Sequence, residues 1–203
     1  MNKTTKAAIV HELGKPLAID EVPIPSPGPG EGLIQVIANG VCHPDIHAGD
    51  GDWSVKPKLP FIPSHEAVGL VSEAGPGVSS LKEEDPVGVV WLRDACGACE
   101  YCIIGWETLC ESQDKTDYDV NSGFAEYVIA LRGYVGKLPS QPNFAEIAPI
   151  LCAGVTNKKA NVKMMTIGEN VMCHGCDGYR RSRRNRQRHR RGRRSEACLL
   201  EVR

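Results

Sequence analysis

The sequence predicts a mainly β chain with some α structure: a barrel-like β domain followed by the incomplete start of an α/β unit. Three observations carry this prediction. Short apolar and β-branched runs alternate with Gly- and Pro-rich breaks through the first 140 residues. Four of the nine cysteines fall within fifteen residues, at a spacing suited to metal. Past Val171 the apolar periodicity stops and the composition changes abruptly.

In chain order, strands are predicted at Ala7 to His11, Leu17 to Val22, Leu33 to Val41, Glu66 to Ala74, Val87 to Leu92 and Phe124 to Leu131. Turn-rich stretches separate them, such as Pro23 to Gly30 and Gly75-Pro76-Gly77. From Asn143 to about Lys159 the period becomes helical, with Phe144, Ile147, Ile150, Leu151 and Val155 near one face. Gly168-Glu169-Asn170 reads as a turn into a new strand, Val171-Met172-Cys173.

A chain of 203 residues builds one good-sized core, or one domain and a piece of a second. No apolar run approaches the ~20 residues of a membrane span. Met1 to Leu13 carries no signal-peptide core and cleavage site, so a cytoplasmic location is expected, without a membrane partner. The net charge of −1 hides a split. From Tyr179 to Arg203 there are eleven arginines and two acids, while residues 1 to 178 hold thirteen basic residues against twenty-three acids. Such asymmetry marks a composition boundary.

Cys96, Cys99, Cys102 and Cys110 stand as C-x2-C-x2-C-x7-C. Two-residue gaps let neighbouring thiolates curl onto one ion, and zinc favours four such ligands. Gly97 and Gly105 give the loop its freedom. Four thiolates leave no position for water, so a zinc here would be structural; an iron–sulfur cluster fits the same spacing. Disulfides are disfavoured in a reducing compartment. A second set is more dispersed: Cys42 in Gly40-Val41-Cys42-His43, His65 in Ser64-His65-Glu66, and Cys152 in Leu151-Cys152-Ala153-Gly154. Each alone reads as readily as a buried core residue. Together they offer two thiolates and one imidazole with a fourth position open, as catalytic zinc sites do.

The run from Gly40 to Trp53, the His65-Glu66-x-x-Gly69 stretch, the four-cysteine lobe and Ala148 to Thr156 together resemble the zinc-dependent alcohol dehydrogenases of the medium-chain dehydrogenase/reductase superfamily, the tetrameric yeast-like branch above all. The resemblance covers about residues 5 to 172, with the motifs in the family's order. It implies a GroES-like catalytic domain over residues 1–160, with a structural zinc lobe at 93–115.

It further implies two zinc ions per chain. Cys42, His65 and Cys152 would hold the catalytic one, with Glu66 beside it as an occasional ligand, and Cys96, Cys99, Cys102 and Cys110 the structural one. Asp45 would orient His65 from behind. Trp53 and Trp91 would line the substrate pocket, His43 would meet the pyrophosphate of NAD, and Thr156 would lie near its nicotinamide. The implied reaction is oxidation of a small primary alcohol to its aldehyde, the hydride passing to NAD.

The chain departs from the family's pattern at several places. Pro44 stands where the family has a Thr or Ser whose hydroxyl relays the alcohol proton, and proline has no such donor. Asp50 replaces a His or Glu further along that relay. Ser64 and Glu84 replace glycines, and Pro86 follows at a predicted strand start.

Residues 161–178 read as the remnant of an NAD-binding domain, whose first strand should lead into a G-x-G-x-x-G turn. Cys173-His174-Gly175-Cys176-Asp177-Gly178 lacks that turn. Residues 179–203 form an Arg-rich tail expected to be disordered, with ten arginines from Arg180 to Arg194. A reading-frame shift near Val171 would account for it. The expectation is an alcohol dehydrogenase with impaired NAD binding and oligomer formation, the alternative a zinc-binding fragment without turnover. A further and less favoured alternative is nucleic-acid binding through the tail, against which stands the lack of any interleaved aromatic residue from Arg180 onward. Cys173, His174, Cys176 and Cys198 are read as accidental neighbours.

Overall fold

A computed structural model describes residues 3–156 and the backbone of 199–200. The elements in order are β1 (Thr4–Ile9), β2 (Ala18–Pro23), β3 (Glu31–Gly40), α1 (His43–Asp50), β4 (Ala67–Ala74), β5 (Pro86–Val89) and β6 (Leu92–Asp94). Then come α2 (Glu100–Ile103), β7 (Asp114–Lys115), β8 (Tyr127–Leu131), β9 (Val135–Lys137), α3 (Phe144–Ile147) and β10 (Leu199–Leu200). Single 3-10 turns lie at Glu107–Leu109 and Ala148–Leu151.

β1 and β2 form an antiparallel hairpin whose residues alternate between inside and outside, as a half-buried pair requires. The main sheet is antiparallel and centres on β3. β4 lies along one edge of β3, and β5 and β9 follow beyond β4. On the other edge β8 pairs with Glu31 to Gln35, and β10 pairs with Asn39 and Gly40. The core between these strands is aliphatic: Ile34, Val36, Ala67, Val71, Val87, Val89 and Val128. β3 and β4 approach so closely that a Cβ on Gly69 would overlap the Gln35 carbonyl oxygen. The pairing slips there, between Val36 and Ala38, and only glycine fits the bulge.

The six expected strands correspond to β1 to β5 and β8, within a few residues at each end. The short strands β6, β7 and β9 escaped the pattern because two or three residues show no alternation. Pro86 opens β5, where a missing N–H is harmless.

The single helix expected from Asn143 is broken. Asn143 caps α3 by accepting from the Glu146 N–H, but Pro149 cannot donate and the chain tightens into a 3-10 turn before residues 153–156 resume as helix. Side chains advance about 120° per residue in a 3-10 turn instead of about 100°. Phe144, Ile147 and Leu151 therefore reach the core beside Ala38 and Val68. Ile150 and Val155 do not: they are half exposed, a correction to the expected apolar face. The expected cofactor-domain remnant at 161–178 lies outside the described residues. So does the Arg-rich tail, apart from the two-residue strand Leu199–Leu200. Among the described residues no helix is long and apolar enough to cross a membrane.

Candidate active site and metal centre

The four-cysteine lobe hangs from a two-rung ladder, Leu92 with Lys115 and Asp94 with Asp114. Cys99 precedes α2, Cys102 lies inside it, and the 3-10 turn Glu107–Leu109 delivers Cys110. Gly97 and Gly105 both take positive φ, 67° and 77°, where the loop doubles back. The Cys99 and Cys102 sulfurs are 3.4 Å apart, and those of Cys96 and Cys102 are 3.9 Å apart. All four ligand atoms lie within 4.8 Å of one another. Sulfurs ~2.3 Å from a shared tetrahedral zinc would be about 3.8 Å apart, so the lobe has the right size. Backbone N–H groups of Ala98 and Cys99 directed at Cys96 lower its thiol to about 6, whereas burial lifts Cys102 to about 12.

The second set is assembled from three distant elements. Cys42 ends the loop after β3 and precedes α1, His65 and Glu66 lead into β4, and Cys152 follows the 3-10 turn packed on β3 and β4. Their ligand atoms lie within 4.8 Å of one another, with the Cys42 and Cys152 sulfurs 3.7 Å apart. His65 and Glu66 are fully buried. A Cβ on Gly40 would overlap the Glu66 carboxylate, so Gly40 makes the space that this side chain fills.

Asp45 sits behind His65, its Oδ1 at 3.0 Å from Nδ1. Its other oxygen accepts from the Cys42 N–H at 2.7 Å and so closes the first turn of α1. Pro44 lies in that same first turn, where a helix needs no N–H donor. Behind the ring stands a second acid that the sequence did not announce. Asp117 Oδ2 is 3.3 Å from Nδ1, and its Oδ1 accepts from the Ser64 N–H at 2.8 Å. In the stretch Lys115 to Asp119 nothing distinguishes Asp117 from a solvated loop acid.

With Nδ1 faced by two carboxylates, Nε2 of His65 is left buried without a partner, as are both Glu66 carboxylate oxygens. Buried polar atoms rarely stay unpaired, and these three lie together beside two sulfurs. Burial works against a charged His65, but the hydrogen bonds to Asp117 and Asp45 outweigh it and push its pKa up to about 12. Burial raises Glu66 and Asp117 to about 7 each. The hydrogen bond to Cys152, then burial, pushes the Cys42 thiol up, and the same bond pulls Cys152 down. Binding of a cation by both thiolates would release the Cys42 proton. The residues fit a zinc ion of the two-thiolate, one-imidazole kind.

Trp91 meets the His65 ring edge-on at 5.1 Å, and Trp53 meets Trp91 edge-on at 6.1 Å. Tyr118 closes on Trp53 at 5.3 Å. Trp91 therefore adjoins His65, and Trp53 lies one ring further out. His43 is exposed on α1 and stacks on His47 at 4.2 Å, a neighbour that the sequence reading passed over. Thr156 is exposed, with its N–H on the Cys152 carbonyl. Asp50 is exposed at the end of α1. Ser64 and Glu84 both take positive φ, 94° and 67°, the backbone that explains a glycine preference at these positions.

Fold and site together define a zinc-type dehydrogenase catalytic domain. Residues 28–140 match the alcohol dehydrogenase GroES-like domain. An alcohol dehydrogenase of Moraxella sp. (strain TAE123) is 58% identical over 151 residues, 74% of this chain and 45% of the relative. One from Rhizobium meliloti (strain 1021) is 52% identical over 177 residues, 86% of this chain and 52% of the relative. The cobalt- and zinc-bound thermostable alcohol dehydrogenase from Pyrobaculum aerophilum superposes with a TM-score of 0.72 at 32% identity, over 79% of this chain and 49% of that one. The chain belongs to the alcohol dehydrogenase family. It spans about half the length of the curated relatives it matches.

Proposed function

We propose that this chain supplies the zinc-holding half of an NAD-dependent alcohol dehydrogenase acting on small alcohols and the matching aldehydes, in the cytoplasm. The observation that carries the reading is the unpartnered Nε2 of His65, buried among Cys42, Cys152 and Glu66 while its Nδ1 faces carboxylates. Cys42, His65 and Cys152 would hold the catalytic zinc, with Glu66 in reserve. Cys96, Cys99, Cys102 and Cys110 would hold the structural one. The catalytic ion supplies Lewis acidity that makes an alcohol hydroxyl more acidic.

The protein's own part is orientation and exclusion. Asp45 keeps the proton on Nδ1 of His65, so that the Nε2 lone pair faces the ion. Trp53 and Trp91 form a wall that favours small substrates and keeps water out. His43 would face the cofactor pyrophosphate and Thr156 the nicotinamide. Pro44 offers no hydroxyl, so the alcohol proton leaves by another route. That feature also supports a second reading, a zinc-binding chain without turnover.

Elemental analysis paired with an NADH fluorescence titration tests these readings. Two zinc ions with saturable NADH binding and alcohol turnover support the dehydrogenase. Two zinc ions without NADH binding favour the second reading. Metal content near zero overturns both.

A further inference from the structure

Asp117 combines three properties that are uncommon together. It is fully buried, among the described residues no Lys or Arg pairs with it, and its backbone sits at a φ of 78°. Left-handed backbone is unfavourable for a residue with a side chain, though less so for Asp, and burial of a carboxylate adds to the cost. Such a residue persists only where its surroundings hold it. They do so here on both sides. The Thr116 hydroxyl donates to the Val90 carbonyl at 2.6 Å, and Tyr118 packs on Trp53. The Ser64 N–H then fixes Oδ1 of Asp117, which turns Oδ2 towards Nδ1 of His65.

Asp45 reaches the same nitrogen from α1, on a different part of the chain. One carboxylate fixes which nitrogen carries the proton but leaves the ring free to swing. Two carboxylates from independently anchored segments hold the ring plane as well. When ionised, the second acid also adds negative charge behind the imidazole, which strengthens it as a ligand.

We propose that Asp117 is a positioning residue for His65, a second carboxylate that with Asp45 clamps Nδ1 and aims Nε2 at the catalytic metal. The proposal rests on the reading of Cys42, His65 and Cys152 as ligands.

Cobalt binding to the full chain tests it, by chelator competition and visible absorption, because the two sites differ in thiolate number and so in spectrum. Asp117→Asn keeps an oxygen for the Ser64 N–H but turns an amide N–H₂ towards Nδ1. It should weaken cobalt at the Cys42–His65–Cys152 site by about 10- to 100-fold and shift that site's bands. The four-cysteine site should keep its affinity, which serves as the folding control. Asp117→Gly suits the positive φ and should show the same loss even if it is more stable to heat. Affinity within twofold of wild type in both variants, with unshifted bands, would overturn the proposal whatever happens to the melting temperature. A wild-type chain that binds one cobalt, or a second cobalt indifferent to Cys42→Ser, would instead overturn the ligand assignment beneath it.

Discussion

The two candidate metal-binding sets are built on opposite plans. The four-cysteine lobe is local: its ligands span fifteen residues, Cys96 is exposed, and the loop needs little beyond two glycines at positive φ and a two-rung ladder. The Cys42–His65–Cys152 set is assembled across more than a hundred residues by strands, a helix and a 3-10 turn. Cys42 and His65 are buried and Cys152 is half-buried, and acids brace the histidine from behind. On the proposed reading, an ion in the local set would help to order its loop, whereas the dispersed set is brought together by the fold before any ion binds.

Four perturbations separate the two plans. The largest effect should come from Cys102→Ser. Structural zinc sites supply about 10–16 kcal/mol of ordering, so the lobe should open. Limited proteolysis should cut within residues 93–115, while circular dichroism of the main sheet stays unchanged. The converse change, Cys42→Ser, should remove one metal equivalent and weaken that site beyond the roughly 100-fold expected from losing a supporting hydrogen bond. Resistance of the lobe to protease should not change.

Next, Gly69→Ala should cost about 3 kcal/mol in urea unfolding, because its Cβ meets the Gln35 carbonyl and the sheet must shift. Metal at the dispersed set should weaken with it, and metal at the lobe should not. Equal loss at both sites would break the distinction drawn above. The smallest effect is a gain. Glu84→Gly relieves an exposed residue at φ 67° and should stabilise the chain by ~1 kcal/mol, read as a rise in melting temperature, with no change at either site.

The same contrast explains what could be read before folding. The lobe was legible from spacing alone, since chain geometry over a few residues is nearly independent of the rest. Cys42, His65 and Cys152 were individually silent, and only the resemblance joined them. Helix α1 went unread because His43-Pro44-Asp45-Ile46-His47-Ala48-Gly49-Asp50 has no apolar stripe; its buried residues are Asp45 and Ala48. Ile150 and Val155 were misplaced because a period was carried through Pro149. Ser64 and Glu84 were visible only through the resemblance, as replacements for glycine, and their positive φ supplies the reason for that glycine. Asp117 gave no such sign, because its role depends on where β7 and the loop before β4 come to lie.

Asp45 holds the Cys42 amide with one oxygen and faces His65 with the other. Occupancy of the metal set and integrity of the first turn of α1 are therefore two readings of one equilibrium. By reciprocity, whatever a bound ion gains from Asp45 is returned to the helix as resistance to fraying. Amide deuterium uptake in residues 43–50 should slow on metal loading by the same factor that melting this turn would weaken the ion's grip. An eight-residue helix with little apolar face thus becomes a solvent-exchange gauge for the site at its first turn.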